Sequence, residues 1–377
     1  MRKAFAAALA LGLGLSLSTA ARAEPLKVVS EALPTPVGVS AFLVHSDRLG
    51  HDIQVAVHLP QATAFLPGQK FPVIYALDSG YGVAGPQGTL LAATGAMAPA
   101  IVVSVGYANG QAGFRNTDLT HGKVASGPMP FGGGGAAFEA FLLEDLRPMI
   151  EAKYPADPKR SVLFGHSLGG LFAANVFADR PDAFSAYIIG SASAWADPAV
   201  IARVAAAAPK AHGERIYLTV GALEDQSAPD GGTKMADGFN GLAKALKDQP
   251  GVILRTQVYA GETHLSYYPK LVTDGFAFVL PPIRPLDARE AALPPETVAR
   301  YLGVYDLPDG RKLTITHPQN SLLTAQVTGI PPVPLLQNGK DRYYAPTSDI
   351  DARFDGASLT MTAGGGASLK VPREKTP

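Results

Sequence analysis

Along the chain the spacing of apolar and polar positions changes character once, near residue 280. Before that point, from about residue 26, short runs rich in β-branched and aromatic residues alternate with longer Ala-rich or amphipathic stretches. Strands are expected over 53–57, 72–77, 101–106, 161–164, 186–189, 216–220 and 252–258. Several are unbroken apolar runs, as a strand buried on both faces of a parallel sheet must be. Phe138, Phe141, Leu142, Leu146 and Ile150 share one face of a helix over 136–153, because three- and four-residue spacing lines side chains up on a single stripe. This alternation predicts an α/β unit, a mainly parallel sheet covered by helices, over 24–282.

Prolines at 281, 282 and 285 end the alternation, and 283–297 reads as a linker with a short helix. From Val298 the pattern becomes one of short strand-like pieces: 301–305, 312–316, 321–327, 341–344, 352–354, 358–362 and 368–371. Turn residues such as Pro308, Asp309 and Gly310, or Asn338 and Gly339, separate them. That rhythm predicts a small all-β, barrel-like accessory domain over 298–377.

The amino end adds a destination. Met1, Arg2 and Lys3 precede an apolar stretch to Leu17, and Ala21, Arg22 and Ala23 form a small-x-small site before Glu24. This is the pattern of a secretory signal peptide over 1–23, too short for a comfortable membrane span. Cleavage after Ala23 would leave a periplasmic or secreted protein with no membrane insertion.

Composition narrows the chemistry. The chain of 377 residues has no cysteine, which excludes disulfides, thiolate catalysis and cysteine-ligated zinc. Lys+Arg and Asp+Glu are equal at 32 each, so no overall field exists to hold nucleic acid.

Gly165, His166, Ser167, Leu168 and Gly169 stand where the apolar run 160–164 gives way to a helix-compatible segment. A serine flanked by glycines at this junction suits a sharp strand-to-helix elbow, because larger side chains at the glycine positions would strike neighbouring backbone. A serine hydroxyl needs a base to take its proton and an acid to orient the base. In the chain order Ser, acid, His, Glu224 follows the strand 216–220 and is the first choice of acid, with Asp225 as the alternative. His264, in the loop after 252–258, is the base. His212 reads as solvated, and His166 as a residue that packs or shapes the pocket. The oxyanion of acyl transfer calls for two preorganised N–H donors. One is the amide of Leu168; the second is placed at Gly80, with Ser79 and Tyr81 as competitors. No cofactor and no metal is called for, and the expected partner is a small-molecule ester.

Several stretches in fixed order resemble the "Putative esterase" family of α/β-hydrolases, and within it the esterase D and siderophore-esterase-like branch. They include Val73 to Asp78, Ile101 to Tyr107, Arg115 to Thr120, the glycines 132–135 before Phe138, Phe164 to Gly170, Ser191 to Trp195, Glu224 and His264. The resemblance spans about residues 25–280 and implies an α/β-hydrolase fold. It places Arg115 near the cleft mouth, where it would meet an anionic or catechol-bearing ester or pair with Asp118 to hold a loop. Trp195, the only tryptophan, would wall an aromatic pocket or pack internally. The chain departs from the family at Ser79, where glycine is usual, and at His121 and Ala192, where proline is usual or frequent. The tail is similar to the lipocalin-like β domains appended to some serine hydrolases.

Together these readings imply an exported serine esterase acting through Ser167, His264 and Glu224. The alternatives are an acyltransferase of the mycolyltransferase type and a binding protein that keeps the fold without turnover.

Overall fold

The computed structural model describes residues 27–28, 38–78, 82–108, 111–125, 130–227, 234–282, 295–318, 322–363 and 366–374. The signal peptide expected over 1–23 and most of the linker expected over 283–297 lie outside these residues.

Nine strands form one mixed sheet: β1 (Lys27–Val28), β2 (Val39–Ser46), β3 (His51–His58), β4 (Phe71–Ala76), β5 (Ile101–Tyr107), β8 (Ala156–His166), β9 (Ala186–Gly190), β10 (Glu214–Gly221) and β11 (Val252–Tyr259). Their spatial order is β1-β2-β3-β5-β4-β8-β9-β10-β11. From β5 onward every neighbouring pair is parallel, whereas β1, β2 and β3 add an antiparallel edge. A short antiparallel pair, β6 (Lys123–Val124) and β7 (Phe131–Gly132), stands apart from it.

Helices cover both faces because successive strand residues point to opposite sides. Val73 and Tyr75 of β4 join the cluster formed with α3 (Gly135–Ala140), α4 (Arg147–Lys153), α5 (Leu168–Asp179), α6 (Val200–Ala207) and α8 (Met235–Leu246). Ile74 and Ala76 join the opposite cluster with α1 (Ala84–Ala93) and α9 (Tyr268–Val279). β4 and β9 are buried throughout, which explains their unbroken apolar sequences. β3 alternates buried and half-buried residues, as suits the antiparallel edge. The helix expected over 136–153 is present, with one π-helical turn, Phe141–Leu146, joining α3 to α4. Two single-turn helices, α2 (Arg115–Asp118) and α7 (Glu224–Ser227), matter for the site.

After α10 (Pro295–Tyr301) the chain forms eight antiparallel strands in sequential order: β12 (Gly303–Asp306), β13 (Lys312–Thr316), β14 (Leu323–Val327), β15 (Val333–Gly339), β16 (Arg342–Ala345), β17 (Ile350–Phe354), β18 (Ser358–Ala363) and β19 (Ser368–Pro372). The first strand meets the last through a bridge between Tyr305 and Arg373, and Glu374 N donates to Val304 O at 2.8 Å, so the barrel is nearly closed. Inward residues such as Leu313, Ile315, Ala325, Val327, Ala352 and Phe354 fill it. Phe65 and Leu66, from the segment after β3, are buried in this same cluster, and Gln69 Nε2 donates to Ser348 O at 3.1 Å. The α/β unit thus plugs one side of the barrel.

Besides the two-residue strands β1, β6 and β7, three elements depart from the sequence expectations. Tyr301 closes helix α10, and the strand expected from 301 starts at Gly303, whose φ of 144° belongs to glycine. β15 carries no sequence signal because Pro332 and Pro334 weaken a strand pattern. β2 lies in a stretch the apolar pattern does not single out, and it forms by pairing along the whole of β3.

Candidate active site

Ser167 sits between β8 and α5 with φ 62° and ψ −121°, a backbone state that non-glycine residues hold only under constraint. The constraint is visible in the hydrogen bonds. Ser167 N donates to Gly190 O at 2.9 Å and Leu171 N donates to Ser167 O at 3.0 Å, tying the elbow to strand and helix. A Cβ at position 165 would lie 2.0 Å from Gly169 O, and one at 170 would lie 2.5 Å from Gly190 O. Glycine is therefore obligatory at both places. Leu168 is the first residue of α5, so its amide belongs to the turn whose N–H groups have no intrahelical acceptor.

Glu224 and His264 arrive from the ends of β10 and β11, which pair in parallel. His264 Nδ1 donates to Glu224 Oε2 at 2.7 Å. The other carboxylate oxygen, Oε1, accepts from Gly221 N at 2.6 Å and from Ser191 Oγ at 2.5 Å. Ser191 in turn contacts the Tyr267 hydroxyl, which also accepts from Thr219 Oγ1 at 3.3 Å. The Glu224 side chain is only 2% exposed against 35% for His264, so the acid is sealed and the imidazole faces the cleft. Asp225 points elsewhere: its Oδ1 accepts from Met235 N at 2.6 Å and caps the start of α8.

His166 is buried between Tyr267, Tyr268 and the His264 ring, whose centroid is 4.5 Å away. Burial, the largest cause, holds its pKa down to about 3, and the Arg115 charge acts in the same direction. It is thus a neutral wall next to the elbow. His212 is exposed, as its sequence context suggests.

Ser193 is a neighbour that sequence reasoning did not assign. Its Oγ lies 3.3 Å from Ser167 Oγ, and its amide donates to Ser167 O at 3.1 Å. The signal was the Ser191-to-Trp195 stretch itself, but nothing local says which hydroxyl turns toward the elbow and which toward Glu224.

Arg115, on α2, does not pair with Asp118. Its Nε and Nη2 donate to the two oxygens of Asp78 at 2.5 and 2.9 Å, a bidentate clamp. Asp118 instead meets His51 Nε2 at 2.9 Å, in a buried pair that anchors the other end of α2. Asp78 has φ 57°, and its Oδ2 would lie 3.2 Å from a Cβ at Gly169, so the clamp stands beside the elbow. Ser79, Gly80 and Tyr81 follow Asp78 directly but lie outside the described residues. Trp195 is 37% exposed, Phe114 40% and Leu265 60%; Phe114 and Leu265 adjoin Arg115 and His264 in sequence, and Trp195 lies two residues beyond Ser193. Among the described residues no helix is long and apolar enough to cross a membrane.

Comparison with known proteins bears on the fold and the family. The ferri-bacillibactin esterase BesA of Bacillus subtilis is 33% identical over 242 residues, which cover 58% of this chain and 82% of BesA. The crystal structure of the BES protein from Bacillus cereus superimposes with a TM-score of 0.57 at 28% identity, covering 67% of this chain and 99% of that one. An IroE-like serine hydrolase from Shewanella oneidensis shares the fold, with a TM-score of 0.54 at 21% identity over 63% of this chain and 78% of its own. The profile of the family described as "Putative esterase" matches residues 46–273. The chain belongs to that family and is an ester-hydrolysing enzyme.

Proposed function

We propose that the protein is an exported serine esterase that opens siderophore-type esters through an acyl-enzyme. The observation that carries the catalytic part is the 2.7 Å contact between His264 and the sealed Glu224 carboxylate, next to a serine held in the strained elbow. Ser167 Oγ attacks the ester carbonyl while His264 Nε2 takes its proton. Glu224 fixes the tautomer that leaves Nε2 free to accept and stabilises the imidazolium that forms. The Leu168 amide, and a second N–H that we assign to Gly80, receive the developing oxyanion. His264 then returns the proton to the leaving alcohol, and water repeats the sequence in reverse to release the acid. The Ser193 hydroxyl keeps Ser167 Oγ oriented between turnovers. Arg115 acts through Asp78, holding the start of the oxyanion segment, because its guanidinium fork is already engaged.

The siderophore assignment rests on the naming of BesA as a ferri-bacillibactin esterase and on the rim. Phe114, Trp195 and Leu265, exposed and one or two residues in sequence from Arg115, Ser193 and His264, offer apolar surface that suits the aromatic acyl groups of a catecholate ester. Export follows from the amino-terminal pattern of residues 1–23.

The test uses the mature protein with p-nitrophenyl esters and a ferric catecholate triester. A burst of alcohol, labelling of Ser167 by an organophosphonate, and loss of both in Ser167→Ala are expected. No burst and an unreactive Ser167 would remove the catalytic assignment. A triester hydrolysed no faster than short-chain esters would remove the siderophore assignment alone. Sequencing the amino terminus of exported protein should begin at Glu24.

A further inference from the structure

A second cluster of polar side chains lies at the opposite end of α5 from the nucleophile. His121 follows α2, Glu139 lies on α3, and Asp179 is the last residue of α5. His121 Nε2 stands 3.4 Å from Glu139 Oε2 and 3.6 Å from Asp179 Oδ2, and the three candidate ligand atoms lie within 4.8 Å of one another. From these positions we propose that His121, Glu139 and Asp179 form a structural site for a divalent transition-metal cation of the zinc class.

The separations carry the argument. Elsewhere in the chain an imidazole stands closer to its carboxylate, His264 to Glu224 at 2.7 Å and His51 to Asp118 at 2.9 Å. His121 reaches neither of its carboxylates that closely. Zinc bonds nitrogen and oxygen at about 2.0–2.2 Å, and the edge of a tetrahedron built on such bonds is about 3.3–3.6 Å. The two His121 separations fall in that interval. A cation at the centre fits the two His121 separations, in place of the long His121–Glu139 hydrogen bond, and the Glu139 and Asp179 oxygens, within 4.8 Å of one another, would draw together around it.

Charge points the same way. Glu139 is buried, with its other oxygen, Oε1, 3.5 Å from Arg180 Nε, which leaves Oε2 for a metal. Asp179 ends a helix of 12 residues, where the dipole already concentrates negative charge and an acidic side chain is unfavourable unless a cation joins it. A neutral imidazole and two carboxylates would balance a divalent ion. Asp179 is 45% exposed in its side chain, so water can supply the fourth ligand.

The site lies about 18 Å along α5 from Ser167, from the rise of about 1.5 Å per residue. Hydrolysis does not run through it. Its effect is mechanical: a metal would add a third tie between the segment after α2, the end of α3 and the end of α5, which already meet through backbone hydrogen bonds such as Gly133 N to Thr120 O at 2.8 Å and the Phe138–Phe172 contact. The absence of a catalytic metal expected from the sequence is compatible with such a site.

The experiment is a zinc titration of chelator-treated full-length protein, in competition with a chromophoric chelator, alongside thermal unfolding with zinc, magnesium or calcium. One zinc per chain and a rise of several degrees in Tm with zinc alone are expected. His121→Ala and Asp179→Asn should each weaken binding at least tenfold and abolish the rise while ester hydrolysis stays within about threefold of the parent. Asp179→Asn, at an exposed helix end, keeps the test valid should His121→Ala fold poorly. Zinc affinity unchanged in both variants would place the metal elsewhere and overturn the proposal. So would no binding at micromolar zinc, or an equal rise with magnesium or calcium.

Discussion

Replacing Glu224 by glutamine isolates what the buried acid does. The side chain keeps its shape, and its amide oxygen can still accept from Gly221 N and Ser191 Oγ, the donors that now hold Oε1 at 2.6 and 2.5 Å. The amide nitrogen must then face His264 Nδ1, because both donors would repel it on the other side. His264 is forced to accept at Nδ1 and to carry its proton on Nε2. That tautomer cannot take the proton of Ser167. With the side chain 2% exposed, no water can enter to restore the contact. Loss of the correct tautomer in a serine triad costs about 10⁴ in rate, so kcat should fall by roughly 10³–10⁴, or about 4–5.5 kcal/mol in barrier. KM and the unfolding midpoint should change little. Asp225→Asn is the paired control: it weakens only the cap on α8, so activity should stay within about twofold and stability should drop by about 1 kcal/mol. Steady-state hydrolysis of a p-nitrophenyl ester, with burst amplitude to count competent sites, measures both. A Glu224→Gln enzyme within tenfold of the parent, or a larger loss in Asp225→Asn, would refute the assignment of the acid.

Ser193→Ala removes the hydroxyl 3.3 Å from Ser167 Oγ and should lower kcat about two- to tenfold with KM unchanged, the net worth of one hydrogen bond; a change confined to KM would place Ser193 in substrate binding instead. His166 makes stability depend on pH. Its folded pKa is depressed to about 3 while an unfolded histidine titrates near about 6.5, so the unfolded chain binds more protons and stability falls as the pH drops from about 6.5 towards 3. His166→Phe should flatten urea midpoints across that window, and an identical slope in parent and variant would contradict the buried neutral ring. Phe65→Ala removes a side chain from the barrel core and should cost about 3–5 kcal/mol. Barrel unfolding should then separate from loss of esterase activity in a thermal scan, whereas a single unshifted transition would contradict the packing.

The strained turn at Ser167 was legible in sequence because its causes are local. Gly165 and Ser167 are dictated by contacts within a few residues, including the 2.0 Å approach of a Cβ at 165 to Gly169 O. The parallel sheet was legible for a similar reason: strands such as β4 and β9 are buried on both faces, and double burial leaves an unbroken apolar run. The placement of Ser167, Glu224 and His264 after successive strands, β8, β10 and β11, followed from the order of the strands.

Choosing between adjacent carboxylates was not a local matter. Glu224 and Asp225 share a single helical turn, where one residue rotates the side chain by about 100°, and only the tertiary structure sends one to His264 and the other to α8. The same holds for Ser191 and Ser193, one turned to Glu224 and one to Ser167, and for Arg115, whose partner Asp78 is 37 residues away. The His121, Glu139 and Asp179 trio brings together three separate segments. Periodicity records how much of each residue is buried. It carries no record of which distant side chain a polar group will meet, because that is decided by strand order, register and helix docking.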